Sequence, residues 1–396
     1  MRLLLCLVFG LLCAAACGNT TSPPATTLPD DTAPLSSAEP EESKESRRTT
    51  AGTLLPNLII QVEGDVFVRH EGQVGDQRIP VGIGSRVEIG DLLYMDDDGE
   101  TAVFCGDEAL WGDNPRLLTP DNGFAGVPCL SKAPPLPAPD ISRLRGEMDT
   151  TPDDVTNVAP YVLSPRGGWV SEERPLLRWQ SPPGVETVTL MLVSEDGVER
   201  PPVTVSGSEI PFPEEWAPLE AGGANYRLQI SGGITSTNFS LLEAETISRL
   251  HRQAEAIQAQ IETEPGRSLV LAELYLHSDY DLWSEAVDLL LAVPDGEGET
   301  AVQKQLGQSY LLMGLFGEAQ TALNRSLQSA QRDNLPEAAA NALYLLGWAA
   351  CGLGQVPETQ SHWQDALQQY ETLGIAEMSQ EITAQLSRAN DTCPLH

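Results

Sequence analysis

The spacing of apolar residues changes once along this chain, at Ala244, and that change limits the fold more than any other feature of the sequence. Before it, short runs rich in β-branched and aromatic residues are separated by Gly, Asp and Pro, the pattern of strands and turns. After it, apolar residues recur at helical spacing and prolines become sparse. A chain of 396 residues is too long for one core, so the expectation is a multidomain protein with β-domains first and an all-α array last.

The first β segment is expected over residues 54–132, with strands near 58–62, 65–69, 86–89, 91–94 and 101–105. Alternation is clearest at Val66 and Val68 and at Val87 and Ile89, which implies one buried face. Four stretches carry a family likeness: Gln61-Val62-Glu63-Gly64-Asp65-Val66-x-Val68, Val81-Gly82-x-Gly84, Gly90-Asp91-Leu92-Leu93 and Ala102-Val103-x-Cys105. Together they resemble a FecR-type domain over about residues 56–130. The best-known members of that family relay signals across the cell envelope through an N-terminal cytoplasmic segment that touches a sigma factor. Here a signal-like segment and a tether occupy that place, so the resemblance implies sensing or binding beyond the inner membrane, without the sigma-factor contact.

The second β segment, 160–243, is expected to be a sandwich. A strand at 175–179 turns Trp179 inward, a second strand runs through 188–193, and Ser194-Glu195-Asp196-Gly197 forms a turn. Leu219, followed by Tyr226-Arg227-Leu228-Gln229-Ile230, is similar to the tyrosine corner of immunoglobulin-like and fibronectin type III sandwiches. That resemblance implies a spacer or binding module, with Trp179 and Tyr226 as core residues.

Within 244–390 two segments repeat at an offset of forty. Leu306-Gly307-x-x-Tyr310 leads to Ala319, Leu323 and Ser326; Leu346-Gly347-x-x-Ala350 leads to Thr359, Trp363 and Ala366. An earlier unit is visible in Leu271-Ala272-x-Leu274-Tyr275 and Ser284-Glu285-Ala286-Val287. The small residues at 307, 319, 347 and 366 let paired helices approach, and the large ones fill the space between them. The pattern resembles the tetratricopeptide repeat, with Thr359 in place of Ala and a longer period. It implies a solenoid of about three units whose concave groove holds a peptide or helix of a protein partner.

Residues 1–17 begin with Arg2 and continue with an apolar run from Leu3 to Ala16, too short to span a bilayer but suited to a secretory signal. Ala14-Ala15-Ala16-Cys17-Gly18 resembles the lipobox of bacterial lipoproteins, which implies cleavage before Cys17 and acylation of its thiol. An ordinary signal cut near Ala16 is the alternative. Residues 18–53, rich in Thr, Ser, Pro and acid, are expected to be a disordered tether, and 133–159 a Pro-rich linker. The expected location is therefore the cell envelope, periplasmic or cell-surface, with the lipid as the only membrane attachment.

An acylated Cys17 leaves Cys105, Cys129, Cys351 and Cys393 in the exported chain. In an oxidising compartment the sequence-local pairs Cys105 with Cys129 and Cys351 with Cys393 are favoured among the possible pairings. Closing the first loop would contribute about 3 kcal/mol. Buried free thiols are the alternative.

The charge balance, 23 Lys and Arg against 57 Asp and Glu for a net −34, repels polyanions and argues against nucleic acid as a partner. No H-E-x-x-H, G-x-S-x-G or G-x-x-x-x-G-K-[ST] motif occurs. The five histidines (His70, His251, His277, His362, His396) lack ligand spacing and are expected at surfaces or boundaries. Asp96-Asp97-Asp98-Gly99-Glu100 lacks the length of a calcium loop and reads as a solvated turn. The expectation is thus no catalytic residue, no metal and no cofactor. It is a scaffold or adaptor that takes a protein partner on its helices, with a glycan or another envelope component as a possible partner of its β-domains. Two other readings stand beside it: an envelope sensor that signals through a separate transmembrane protein, and an enzyme with a carboxylate site that no motif reveals.

Overall fold

A computed structural model describes residues 54–73, 77–95, 99–107, 116–118, 124–129, 159–233, 236–277, 279–296 and 298–393. The signal-like segment with Cys17, the tether, residues 133–158 of the linker and Asp96–Asp98 lie outside them. The chain is β-rich first and all-α after residue 243.

Among the described residues, seven strands build the first part: β1 (Leu58–Glu63), β2 (Val66–Arg69), β3 (Ile79–Pro80), β4 (Leu92–Met95), β5 (Glu100–Phe104), β6 (Arg116–Leu118) and β7 (Phe124–Gly126). They form one sheet in the order β1-β5-β6 and another in the order β3-β2-β4-β7, paired antiparallel. β1 reads LIIQVE because both of its faces are covered. Ile59 and Val103 point into the core shared with Val66, Val68, Leu93 and Met95. Leu58, Ile60, Ala102 and Phe104 point the other way, into a core shared with helices. The strand expected at 86–89 does not form. Arg86 makes a single bridge to Leu58, and the chain then turns, with Gly90 at φ +93° and the Asp91 N–H donating to the Glu88 carbonyl. Val87 is nonetheless buried, so its alternation with Ile89 reflected a buried turn flank. Cys105 is bonded to Cys129.

The second part is two facing sheets. β8 (Tyr161–Ser164), β10 (Leu177–Gln180) and β13 (Glu209–Ile210) make one, ordered β13-β10-β8. β9 (Trp169–Val170), β11 (Thr187–Ser194), β12 (Val203–Ser206), β14 (Asn225–Ile230) and β15 (Ser236–Leu241) make the other, ordered β12-β11-β14-β15-β9. Trp179, Trp216, Leu190, Leu228 and Phe239 fill the space between. Tyr226 is buried, and its hydroxyl accepts a hydrogen bond from the Glu220 N–H at 2.8 Å. That bond ties the Tyr226 side chain to the segment just before β14.

Among the described residues the helices are α1 (Ala244–Gln260), α2 (Gly266–Leu276), α3 (Trp283–Leu291), α4 (Glu299–Leu312), α5 (Phe316–Arg332), α6 (Pro336–Gly352), α7 (Val356–Leu373) and α8 (Ala376–Thr392). Each packs on the next. The forty-residue offset is visible in the packing. A Cβ on Gly307 would lie 2.4 Å from the Leu323 side chain, and one on Gly347 would lie 2.1 Å from the Trp363 indole. Leu306, Ala319, Leu323, Leu346, Trp363 and Ala366 are buried, and Tyr310 is half-buried. The Trp363 indole N–H donates to the Tyr344 carbonyl at 3.1 Å. Cys351 is bonded to Cys393, tying α6 to the end of α8. Along a second row α4 also meets α2 and α6, and α6 meets α8.

Gly52–His396 forms one compact unit, because both β parts share surface with the helices. Leu250, Ala254 and Ile257 of α1 and Val270, Leu271 and Leu274 of α2 close on the outer face of β1 and β5. On the other side, the Arg166 side chain donates to the Met313 carbonyl at 2.9 Å, and the Ser171 N–H donates to Glu285 at 2.9 Å. Arg178 pairs with Asp288, and Tyr161 bonds Glu318. Gly168 allows this approach: its φ is +58°, and a Cβ there would fall 2.3 Å from the Asp281 carbonyl oxygen.

Candidate functional site

Buried charged and amide side chains, among them Asp91, Glu273, Lys304 and Gln305, line the seam between the first β part and the row α2, α4, α6. Closeness is set by the loop between β3 and β4. A Cβ on Gly84 would sit 2.2 Å from that of Ala301 on α4, and one on Gly82 would sit 3.2 Å from Leu335 before α6. A loop pressed this tightly on helices must satisfy its polar groups there.

His70, just after β2, is the centre of one end. Its Nδ1 lies 3.0 Å from Asp91 Oδ2, and its Nε2 lies 3.1 Å from Glu337 Oε2 at the start of α6. Asp91 is 2% exposed and is held in place by N–H groups of Glu71 (3.0 Å) and Glu88 (2.8 Å). Burial alone would lower the imidazole pKa, but hydrogen bonds and charges from both carboxylates outweigh it and push the value up to about 10. The ring is therefore a cation at neutral pH with both nitrogens committed, and it serves as a charged bridge and not as a base. Gln73 extends this end, its amide donating to the Leu373 carbonyl at 2.8 Å.

The other end runs along α4. Lys304, Gln305 and Gln308 are all buried. Gln305 donates to Glu273 of α2 at 2.8 Å and to the Leu269 carbonyl at 3.3 Å, and Arg86 reaches Glu273 at 3.5 Å. Burial, and after it the charge of Arg86, bring the Lys304 ammonium down to about 8; Glu273 and Glu337 oppose this. Among the described residues, Arg86 Nε, Gln305 Oε1, Gln308 Oε1 and the Tyr370 hydroxyl are shut off from solvent without a hydrogen-bond partner. Burial, with Glu337 and Tyr344 nearby, raises the Tyr370 hydroxyl well above its ordinary value.

None of these residues was singled out as a site in the sequence. His70 was expected to be an ordinary boundary residue; its two partners stand 21 and 267 residues away, beyond any spacing rule. The residues that were singled out lie elsewhere: the repeat residues pack helix on helix, and the four cysteines form the two bonds described above. Among the described residues, no group of three or more His, Cys, Asp and Glu side chains is placed to hold a metal ion, and no helix is long and apolar enough to cross a membrane. No family model matches the chain, and no curated protein matches it.

Proposed function

We propose that this chain is an exported lipoprotein, anchored through Cys17, that acts as a non-catalytic scaffold or adaptor in the cell envelope. On this reading the helices are tetratricopeptide-like hairpins, the first β part is FecR-like, and the second is an immunoglobulin- or fibronectin-like sandwich. One observation carries the reading: successive helices repeat one packing contact at an offset of forty, Gly307 on Leu323 and then Gly347 on Trp363. A chain that stacks like units presents extended surface for protein partners. The two disulfides favour an oxidising compartment, in keeping with export.

The row α2, α4, α6 faces the chain's own β part through the seam, so a partner either displaces that part or uses the outer helices α3, α5 and α7. Crosslinking in intact cells, with photoreactive residues at exposed positions such as Arg325 on α5 and Glu358 on α7, tests this. The expected result is an envelope protein crosslinked reproducibly from one of these helices. No crosslink from any helix would contradict the adaptor reading.

A further inference from the structure

We propose that α8 is a strap over the end of the helical array, hinged at Gly374 and clipped by the Cys351–Cys393 bond, which a dithiol opens and a disulfide oxidant recloses.

Both ends of α8 are fixed, and its middle is lightly held. At its start, Leu373 belongs to the core of the first β part, Ile375 packs against that core, and Gln73 donates to the Leu373 carbonyl at 2.8 Å. Gly374, between them, has φ +72°, a conformation that glycine adopts without strain and that suits a pivot. At its end, Cys393 is bonded to Cys351 of α6, 42 residues earlier. Between these points α8 offers one narrow apolar stripe, Met378, Ile382, Leu386 and Ala389, of which Ile382 and Ala389 are buried and the other two half-buried. Its neighbour α7 buries Val356, Trp363, Ala366, Tyr370 and Leu373. The side-chain hydrogen bonds along α8 tie it to no other element: Ser379 donates to the Ile375 carbonyl, Thr383 to that of Ser379, Gln385 to the Glu381 carboxylate and Ser387 to the Ala384 carbonyl. Elements with so few buried apolar contacts are the ones that open locally while the rest stays folded.

What lies beneath α8 is aromatic. The helix packs on α7 and touches α6, and its stripe shares a core with Trp348, Trp363 and Tyr370. Burial raises the Tyr344 hydroxyl above its ordinary value and the charge of Glu381 adds to this, which sets the middle of α8 beside Tyr344. Tyr344, Trp348 and Trp363 meet edge to face in a row, with ring centroids 6.3 and 5.2 Å apart. Swinging α8 out on Gly374 uncovers part of this row, a surface that the clipped chain keeps from solvent.

The opening step is thiol–disulfide exchange. One thiolate of the dithiol attacks a sulfur of the pair, the S–S bond breaks, and the other cysteine leaves as a thiolate and takes a proton. The second thiol of the reagent then closes the reagent's own disulfide and frees the attacked cysteine, so two electrons pass from the dithiol to the pair. Both cysteines are fully buried, so attack waits on local opening of α8.

The inference stands apart from the scaffold reading, since it concerns where the chain opens and not what it binds. The test compares the oxidised folded chain, the same chain in dithiothreitol without denaturant, and the double variant Cys351→Ser, Cys393→Ser, which retains Cys105–Cys129. Hydrogen exchange read by mass spectrometry follows the amides of α8 against those of α4 and α5. The expected result is that dithiothreitol opens the bond, and that α8 amides exchange about tenfold or more faster in the reduced chain and in the variant, with α4 and α5 unchanged. Trypsin should then cut after Arg388, and reoxidation with glutathione disulfide should restore protection. Undiminished protection of α8 in the variant would show that the stripe holds it unaided. Loss of protection in α4 and α5 together with α8 would make the bond a staple of the whole array. Either result, or a bond that resists dithiothreitol in the folded chain, would overturn the strap.

Discussion

His70 joins two parts of the chain with a single charged ring, and its removal should be felt at once. His70→Ala leaves Glu337 half-buried without its cation, at a cost on the order of 2 kcal/mol in denaturant unfolding at pH 7. The pH dependence has a definite sign. Because the folded value is raised from 6.5 to about 10, the contribution is fully present below 6.5 and is lost as pH rises through 10. The wild type should therefore lose stability between pH 7 and 10 relative to the variant, and parallel curves would refute the bridge. Glu285 has the opposite character. Burial raises its carboxyl to about 7 against a bond from Ser171, and one of its oxygens is shut off from solvent. Its ionisation thus penalises the fold progressively from pH 4.5 up to about 7. Glu285→Gln, which keeps an acceptor for Ser171, should stabilise by on the order of 2 kcal/mol at pH 8 and by little at pH 4.5. Equal effects at both pH values would contradict it. Neither residue was legible beforehand, because what matters is the pairing of a loop with a helix far away in the chain.

Elements were more legible than residues, and unevenly so. Trp179, Tyr226 and the paired positions 307/323 and 347/363 are set by local rules, since a strand alternates and a helix hairpin repeats. The short strands β3, β6 and β7 escaped notice because two or three residues carry no period to detect. The expected strand at 86–89 failed because a buried turn can alternate as a strand does. The helix contacts give a sharp contrast between two glycines. Gly347→Ala would drive a methyl into the Trp363 indole and disturb its bond to Tyr344, and should destabilise by about 1–3 kcal/mol. Gly317→Ala, near the start of α5 with open space around it, should instead stabilise by roughly 0.5–1 kcal/mol. Thermal or denaturant unfolding of the two variants measures both, and a neutral Gly347→Ala would contradict the close packing of α6 on α7.

At the scale of the molecule, the divisions drawn at 132, 160 and 243 mark changes of sequence pattern; the two sheets at 160–243 enclose a core of their own, while the first β part shares one of its cores with helices. α1 and α2 complete the core on the outer face of β1 and β5, and the sandwich docks on α3 through Arg166, Ser171 and Arg178. Sequence periodicity reports which face of an element is buried, not what buries it, so the joining of these parts was hidden. On the proposed reading this body is a scaffold whose place in the cell is decided by the first seventeen residues. The most direct measurement is therefore metabolic labelling with radioactive palmitate, combined with fractionation of the wild type and Cys17→Ser. The account predicts label in the wild type, none in Cys17→Ser, and the wild type in the membrane fraction. An unlabelled wild type that fractionates with the cytosol, indistinguishable from Cys17→Ser, would contradict it.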